Sequence, residues 1–258
     1  VTVAAPRVRT GGGPLVPGPV LFARYAFGPN RLGYCGTDDH AAVLGHGAAG
    51  EERPLRLLAR TFEGAFPYLE LIAQANGIAD PLDRQVVEAY WLGNQLTAAV
   101  KARPMQRSLD DRFRPKMGAS TWRWLEASVP AGARPVHAFH VLDVFPRAGL
   151  LRGEQADDVI RVMDSCRIRW GRVVAVQEGT LVVDAPRLEM VDGRLVIGET
   201  RREAVDRWVD GIGFVTDVAP GDAVSIHWGW ACDRLTYRQL ANLKRWTAYE
   251  LGVANRAL

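Results

Sequence analysis

The chain has 258 residues, 48% of them hydrophobic and 24% charged, so there is ample apolar material for one large domain or two small ones. A formal charge of +3 excludes both an acidic disordered tail protein and a strongly cationic nucleic-acid coat. No apolar run approaches the roughly 18 residues that a membrane span requires.

Residues 1 to about 20 mix Gly, Pro, Ala and Val without periodicity and read as an irregular arm. They lack the basic start and apolar stretch of a secretory signal. The three cysteines, Cys35, Cys166 and Cys232, cannot form a disulfide framework. A cytoplasmic location is the expectation.

From 53 to 76, Leu57, Leu58, Phe62, Phe66, Leu69 and Ile72 recur at helical spacing, with Pro67 expected to kink or split the helix and Gly77 to stop it. A second helix is expected from an Asp80 cap and Pro81, through Val86, Val87, Tyr90, Trp91 and Leu96, to Arg103-Pro104. Further helical pieces are expected at 117–127 and 153–164. After Cys166 the pattern changes to alternating branched apolar and polar residues, broken by Gly179, Asp192-Gly193 and Gly198, the grammar of short strands and tight turns. Arg202 to Trp208 and Ala223 to His227 read as two more strands, and from Thr236 the spacing of Leu240, Leu243, Trp246, Leu251 and Val253 predicts an amphipathic helix. The expected fold class is α+β: a mainly helical domain over 1–160, then a small OB-like, Greek-key β-barrel closed by a C-terminal helix over 161–258. Residues 1–152 carry 18 basic and 13 acidic groups, and residues 153–258 carry 14 and 16. A barrel half with net charge −2 is a poor polyanion trap, so no nucleic-acid partner is expected.

The string Cys166-Arg-Ile-Arg-Trp-Gly171-Arg172-Val173, followed by strands and then Gly221-Asp222-Ala-Val-Ser-Ile-His227-Trp-Gly229-Trp230-Ala231, resembles the HypC/HupF family of nickel–iron hydrogenase maturation chaperones. The similarity covers roughly residues 164–250. It places Cys166 on the family's iron-binding cysteine and His227 on its histidine. The chain departs from the family in three ways. Asp164-Ser165 precede the cysteine, which in the family follows the initiator methionine. Trp170 replaces a proline, and Arg167 and Arg169 stand where small or apolar residues are usual. The resemblance implies a scaffold that binds the cofactor precursor Fe(CN)2CO and passes it to a hydrogenase large-subunit precursor in concert with other maturation proteins.

The donor chemistry agrees with that implication, because low-spin ferrous iron carrying CO and cyanide accepts a thiolate and an imidazole as borderline-soft ligands. Arg167 and Arg169 are expected to lower the Cys166 pKa and to offer donors to cyanide nitrogens. Without the resemblance, a lone Cys and a lone His in a barrel read as packing residues.

Upstream, Leu32 to His46 crowds Cys35, Asp38, Asp39, His40 and His46 into a glycine-punctuated loop. Cys35-Gly36-Thr37 resembles the Cys-Gly-Thr-His element of HypD, the usual HypC partner, which makes Cys35 a candidate third metal donor. Asp38 or Asp39 alternatively caps the following helix. An enzymatic reading would use Cys35, Asp38, His40 and His46 to bind a metal that makes or installs a diatomic ligand. His137 and His140, three apart, suit two ligands on a helical face, but the β-branched run around them favours core or interdomain histidines. Cys232 is expected to pack without a ligand role. Eight tryptophans, three of them near the proposed ligands in sequence, could fill a seam or exclude water.

Overall fold

The computed structural model describes residues 15–144 and 156–256. Most of the expected N-terminal arm, and the start of the helix expected at 153–164, lie outside the described residues.

The first element corrects the arm's boundary. Helix α1 (Gly18–Arg31) begins with Pro17 and Pro19 framing its first turn, and it is buried at nearly every position from Gly18 to Asn30. A Cβ on Gly18 would stand 1.8 Å from the Leu82 carbonyl oxygen, so only glycine lets α1 lie this close to the 80–83 turn.

Helices α2 (His40–Ala49), α3 (Glu52–Ala59) and α4 (Phe66–Ala75) follow. Pro67 splits the expected 53–76 helix, since it occupies the first turn of α4. The next helix, α5 (Arg84–Trp91), is capped by Asp83, whose carboxylate accepts the Gln85 N–H, while Asp80 is used by Arg56 and the Leu82 N–H. It does not run on to Arg103. Gly93 turns at φ 76°, where a Cβ would meet the Trp246 indole at 1.9 Å, and Asn94 then caps the short α6 (Gln95–Ala99). Helices α7 (Ala102–Phe113) and α8 (Ala119–Ser128) lead to a single turn, α9 (His137–Phe139), which widens into a π-helical turn, His140–Val144.

Beyond α10 (Ala156–Cys166) come β1 (Arg169–Val176), β2 (Thr180–Val191), β3 (Arg194–Asp206), β4 (Ala223–His227), β5 (Trp230–Arg234) and α11 (Tyr237–Ala254). Gly198 does not end a strand. It sits inside β3, where a Cβ would collide with the Glu189 carboxylate. The sheet is mixed, with order β1-β2-β3-β5-β4, and it closes as β4 pairs antiparallel with β1. Closure on the other side is one parallel pair, Asp206 with Trp230. The coarse expectation therefore holds: a helical N-terminal region, a five-stranded sheet and a C-terminal helix opened by a Thr236–Gln239 capping box.

A small apolar core of Val173, Leu181, Val183, Val205, Val224 and Ile226 fills the sheet's interior. The larger core joins α1–α9 to Trp230, Cys232, Leu235, Leu243 and Trp246, so it runs across the 160/161 position. Polar ties reinforce that seam: Ser225 Oγ donates to Tyr25 Oη at 3.0 Å, and Arg24 pairs with Asp233 at 2.6 Å. Among the described residues no helix is long and apolar enough to cross a membrane.

Candidate metal centre

Cys166 is the last residue of α10 and His227 the last of β4. The tight turn after β4 brings them together. Trp228 adopts φ 53° and donates its N–H to the Ser165 carbonyl at 2.8 Å, pinning the β4–β5 turn to the end of α10. His137, the first residue of α9, approaches from the helical half, its Nε2 2.9 Å from the Cys166 carbonyl oxygen. One donor atom from each of His137, Cys166 and His227 lies within 4.8 Å of the other two.

The ring of His227 is fixed by the backbone of α1. Its Nδ1 is 2.7 Å from the Tyr25 carbonyl oxygen, an acceptor, so Nδ1 carries the proton. Nε2 is left as a lone pair, buried and without a hydrogen-bond partner. A backbone carbonyl that fixes the tautomer of a ring in this way is the usual outer-sphere support of a metal-bound histidine. α1 presses on the same residue: a Cβ on Gly28 would lie 2.4 Å from the His227 carbonyl oxygen.

The donors line a cavity of about 130 Å³ walled by Phe62, Tyr90, Trp91 and Trp228. Tyr34 stacks on Trp228 with ring centroids 3.8 Å apart. Cys35 lies at the mouth, exposed as a residue yet lining the same cavity. Its loop is pinned from beneath, because the buried Asn30 amide donates to the carbonyls of Cys35 (2.7 Å) and Thr37 (2.6 Å). Gly36, at φ 89°, leaves room for Phe62, whose ring would lie 2.3 Å from a Cβ there.

Burial sets the protonation states. It pushes His137 down to about 4, and it carries His227, with the nearby His137 adding to the effect, well below the usual imidazole value. Both rings are therefore neutral near pH 7 and able to ligate. Burial also drives the Cys166 thiol up to about 12, the Trp228 indole N–H recovering only part of that, and pushes Cys35 up to about 11. The expectation that neighbouring arginines activate Cys166 is thus corrected. Arg167 and Arg169 turn away from the cavity onto Asp164, Arg167 also reaching the Pro186 carbonyl and Arg169 the Glu203 carboxylate. Neither guanidinium lines the cavity.

The 32–46 loop disperses. Asp39 caps α2 through the Ala42 N–H, His46 pairs with Glu51, and His40 begins α2 on the exposed side. Of that cluster only Cys35 reaches the cavity, and among the described residues Cys35, Asp38, His40 and His46 form no metal-holding group. Cys232 is buried in β5 with its sulfur toward the Trp230 carbonyl, apart from the other donors.

His137 is buried between the helical part and the Cys166 end of α10, as expected of a core or interdomain histidine, but the local structure differs from the expected strand. His137 and His140 sit on a helical turn, not a strand, and both line the cavity, His140 behind His137 with ring centroids 6.5 Å apart. Their three-residue spacing was the available signal.

Residues 14–258 match the Family of unknown function (DUF6390), nearly the whole chain, and the chain belongs to that family. No curated protein and no solved structure matches it.

Proposed function

We propose that this DUF6390 chain is an iron carrier of the HypC/HupF kind, which receives or delivers the Fe(CN)2CO precursor during assembly of a nickel–iron hydrogenase in the cytoplasm. The role is binding and transfer, with the large-subunit precursor and other maturation proteins as partners. The observation that carries this reading is the convergence of Cys166 and His227, 61 residues apart, on one cavity. The strand order, with β4 closing onto β1, supports an OB-like barrel for residues 161–258.

The cavity's chemistry suits the cargo. A volume near 130 Å³ is close to the roughly 150 Å³ that accommodates a benzene-sized guest, enough for an ion with a few diatomic ligands. Aromatic walls keep water from the bound fragment. Neutral imidazoles ligate without losing a net proton, whereas Cys166 must release its thiol proton, so loading is coupled to one proton released. Cys35, exposed at the mouth, is placed to meet the fragment as it enters or leaves. This arrangement lets the helical half present, within one chain, the cysteine that a separate HypD partner supplies to HypC.

Infrared spectra of protein isolated without oxygen from a host that assembles nickel–iron hydrogenase test the proposal. The wild-type chain is expected to show CO and cyanide stretching bands, and Cys166→Ala to lose them. Bands that survive in the variant, or that are absent from the wild type, overturn it.

A further inference from the structure

Two protein donors leave an Fe(CN)2CO fragment one ligand short, because low-spin ferrous iron binds six donors and three are already diatomic. Building on the carrier reading, we infer that His137 is the third protein donor, closing a facial triad with Cys166 and His227.

The geometry around His137 differs from that around His227 in one instructive respect. The Cys166 carbonyl oxygen, an acceptor, faces Nε2 at 2.9 Å, so Nε2 carries the proton and Nδ1 accepts from Tyr90 Oη at 3.2 Å. A ring in that tautomer cannot ligate through Nε2. Tyr90 provides the way out, because its hydroxyl also lies 3.4 Å from the Gly64 carbonyl oxygen. For Nε2 to ligate, it would release its proton to water and Nδ1 would take one up from water. The Tyr90 O–H swings from Nδ1 to Gly64, and Nδ1–H donates to the Tyr90 oxygen. The ring is neutral before and after, one proton having left one nitrogen and one having joined the other. His137 then matches the state in which Tyr25 already holds His227, with Nδ1–H engaged and Nε2 free. Tyr90 is thus a positioning residue, and phenylalanine could not replace it.

The two rings support a shared ion. Their centroids are 5.0 Å apart at 73°, edge to face, and both are neutral, so no charge repulsion opposes their convergence. The donor also comes from α9, in the helical half, while Cys166 and His227 belong to the barrel side. The centre is therefore complete within the chain, and Cys35 remains outside the resting coordination sphere as an incoming ligand.

Titration of the full chain with cobalt(II) chloride, without oxygen, provides the test, read by the thiolate-to-cobalt charge-transfer band and the d–d bands. In His137→Gln the charge-transfer band should persist, with affinity down at least tenfold and the d–d bands shifted. Tyr90→Phe should weaken binding severalfold. His137→Cys should restore affinity and roughly double the charge-transfer intensity, which a merely structural role for His137 would not produce. Wild-type affinity and d–d bands in His137→Gln, or no added intensity in His137→Cys, overturn the inference. Cys166→Ser separates the levels. If it abolishes the charge-transfer band while the His137 variants behave as wild type, only the third donor is refuted. If it leaves cobalt binding unchanged, the carrier reading falls too.

Discussion

An imidazole buried without a counter-charge makes a protein sensitive to mild acid, and this chain buries two at one point. His137 is 5% exposed and His227 1%. Burial depresses both, His137 to about 4, whereas in the unfolded chain each titrates near 6.5. As pH falls below that value the unfolded state takes up protons that the folded state refuses, so stability is full above pH 6.5 and declines as pH drops toward 4. Each ring contributes a slope of about 1.4 kcal/mol per pH unit, and with His140, which burial pushes down to about 3, the three make roughly 4. Urea unfolding of the metal-free protein between about pH 7 and pH 5 should show this loss, and His137→Gln should remove about a third of it. Stability that stays flat over that range would mean the rings are already protonated or solvated. Cys166 and His227 could be found from sequence because each sits in a local motif. His137 was visible only as one of a pair three residues apart, because its contacts with the Cys166 carbonyl and the Tyr90 hydroxyl come from parts of the chain remote in sequence.

The segment that aims Cys166 is the junction of α10 and β1, built on a buried ionic cluster. The Asp164 carboxylate accepts from Arg167 Nε and from the Leu188 N–H, both at 2.9 Å, and from Arg169 and Arg187 at 3.3 Å. Burial alone would raise this carboxyl, but Arg167 and Arg169 outweigh it and hold it below its usual value. Removing the carboxylate leaves the Arg167 guanidinium, 1% exposed, without a counter-charge, and leaves Arg169, 3% exposed, with Glu203 alone. Asp164→Ala should therefore cost about 3–5 kcal/mol of stability in urea titrations. It should also weaken cobalt binding, since Cys166 lies two residues on. A loss no larger than that of Asp184→Ala, which breaks an exposed pair with Arg202, would show that water replaces the cluster. Legibility at this scale follows the environment of each element. β1, β4 and α11 announce themselves by alternation or a cap, because one face of each meets water or a partner of different polarity. α1 gives no such signal: buried almost all round and carrying Gly18, Gly28 and Pro29, it has no polar face to set a period. The ions at the α10–β1 junction were visible as residues, but which carboxylate they serve depends on β2 and β3 folding over them.

For the molecule as a whole, the question is whether the helical part and the sheet fold separately or as one unit. α1 decides this, because it is at once the centre of the helical part and the surface on which β4 and β5 rest. Tyr25 holds His227 through its carbonyl and Ser225 through its hydroxyl, Arg24 takes Asp233, Arg31 takes Asp206, and Phe27 packs edge-on against Trp230. Trp230 and Trp246 are buried in the same core as α1 and α5. Cutting the chain near residue 160 would expose these aromatic surfaces on both pieces, at about 1.5–3 kcal/mol for each large side chain uncovered. Donors drawn from both sides of that seam then make metal binding a bond between the parts. An ion held by His137 with Cys166 and His227 stabilises only the state in which α9, α10 and β4 are all in place, by about 2.7 kcal/mol at a free concentration of a hundred times Kd. Calorimetry should accordingly record a single unfolding transition for the full chain, and cobalt(II) should move that whole transition to higher temperature. Two transitions, only one of them moved by the metal, would mean that the seam opens before either part unfolds and that the ion belongs to one part alone.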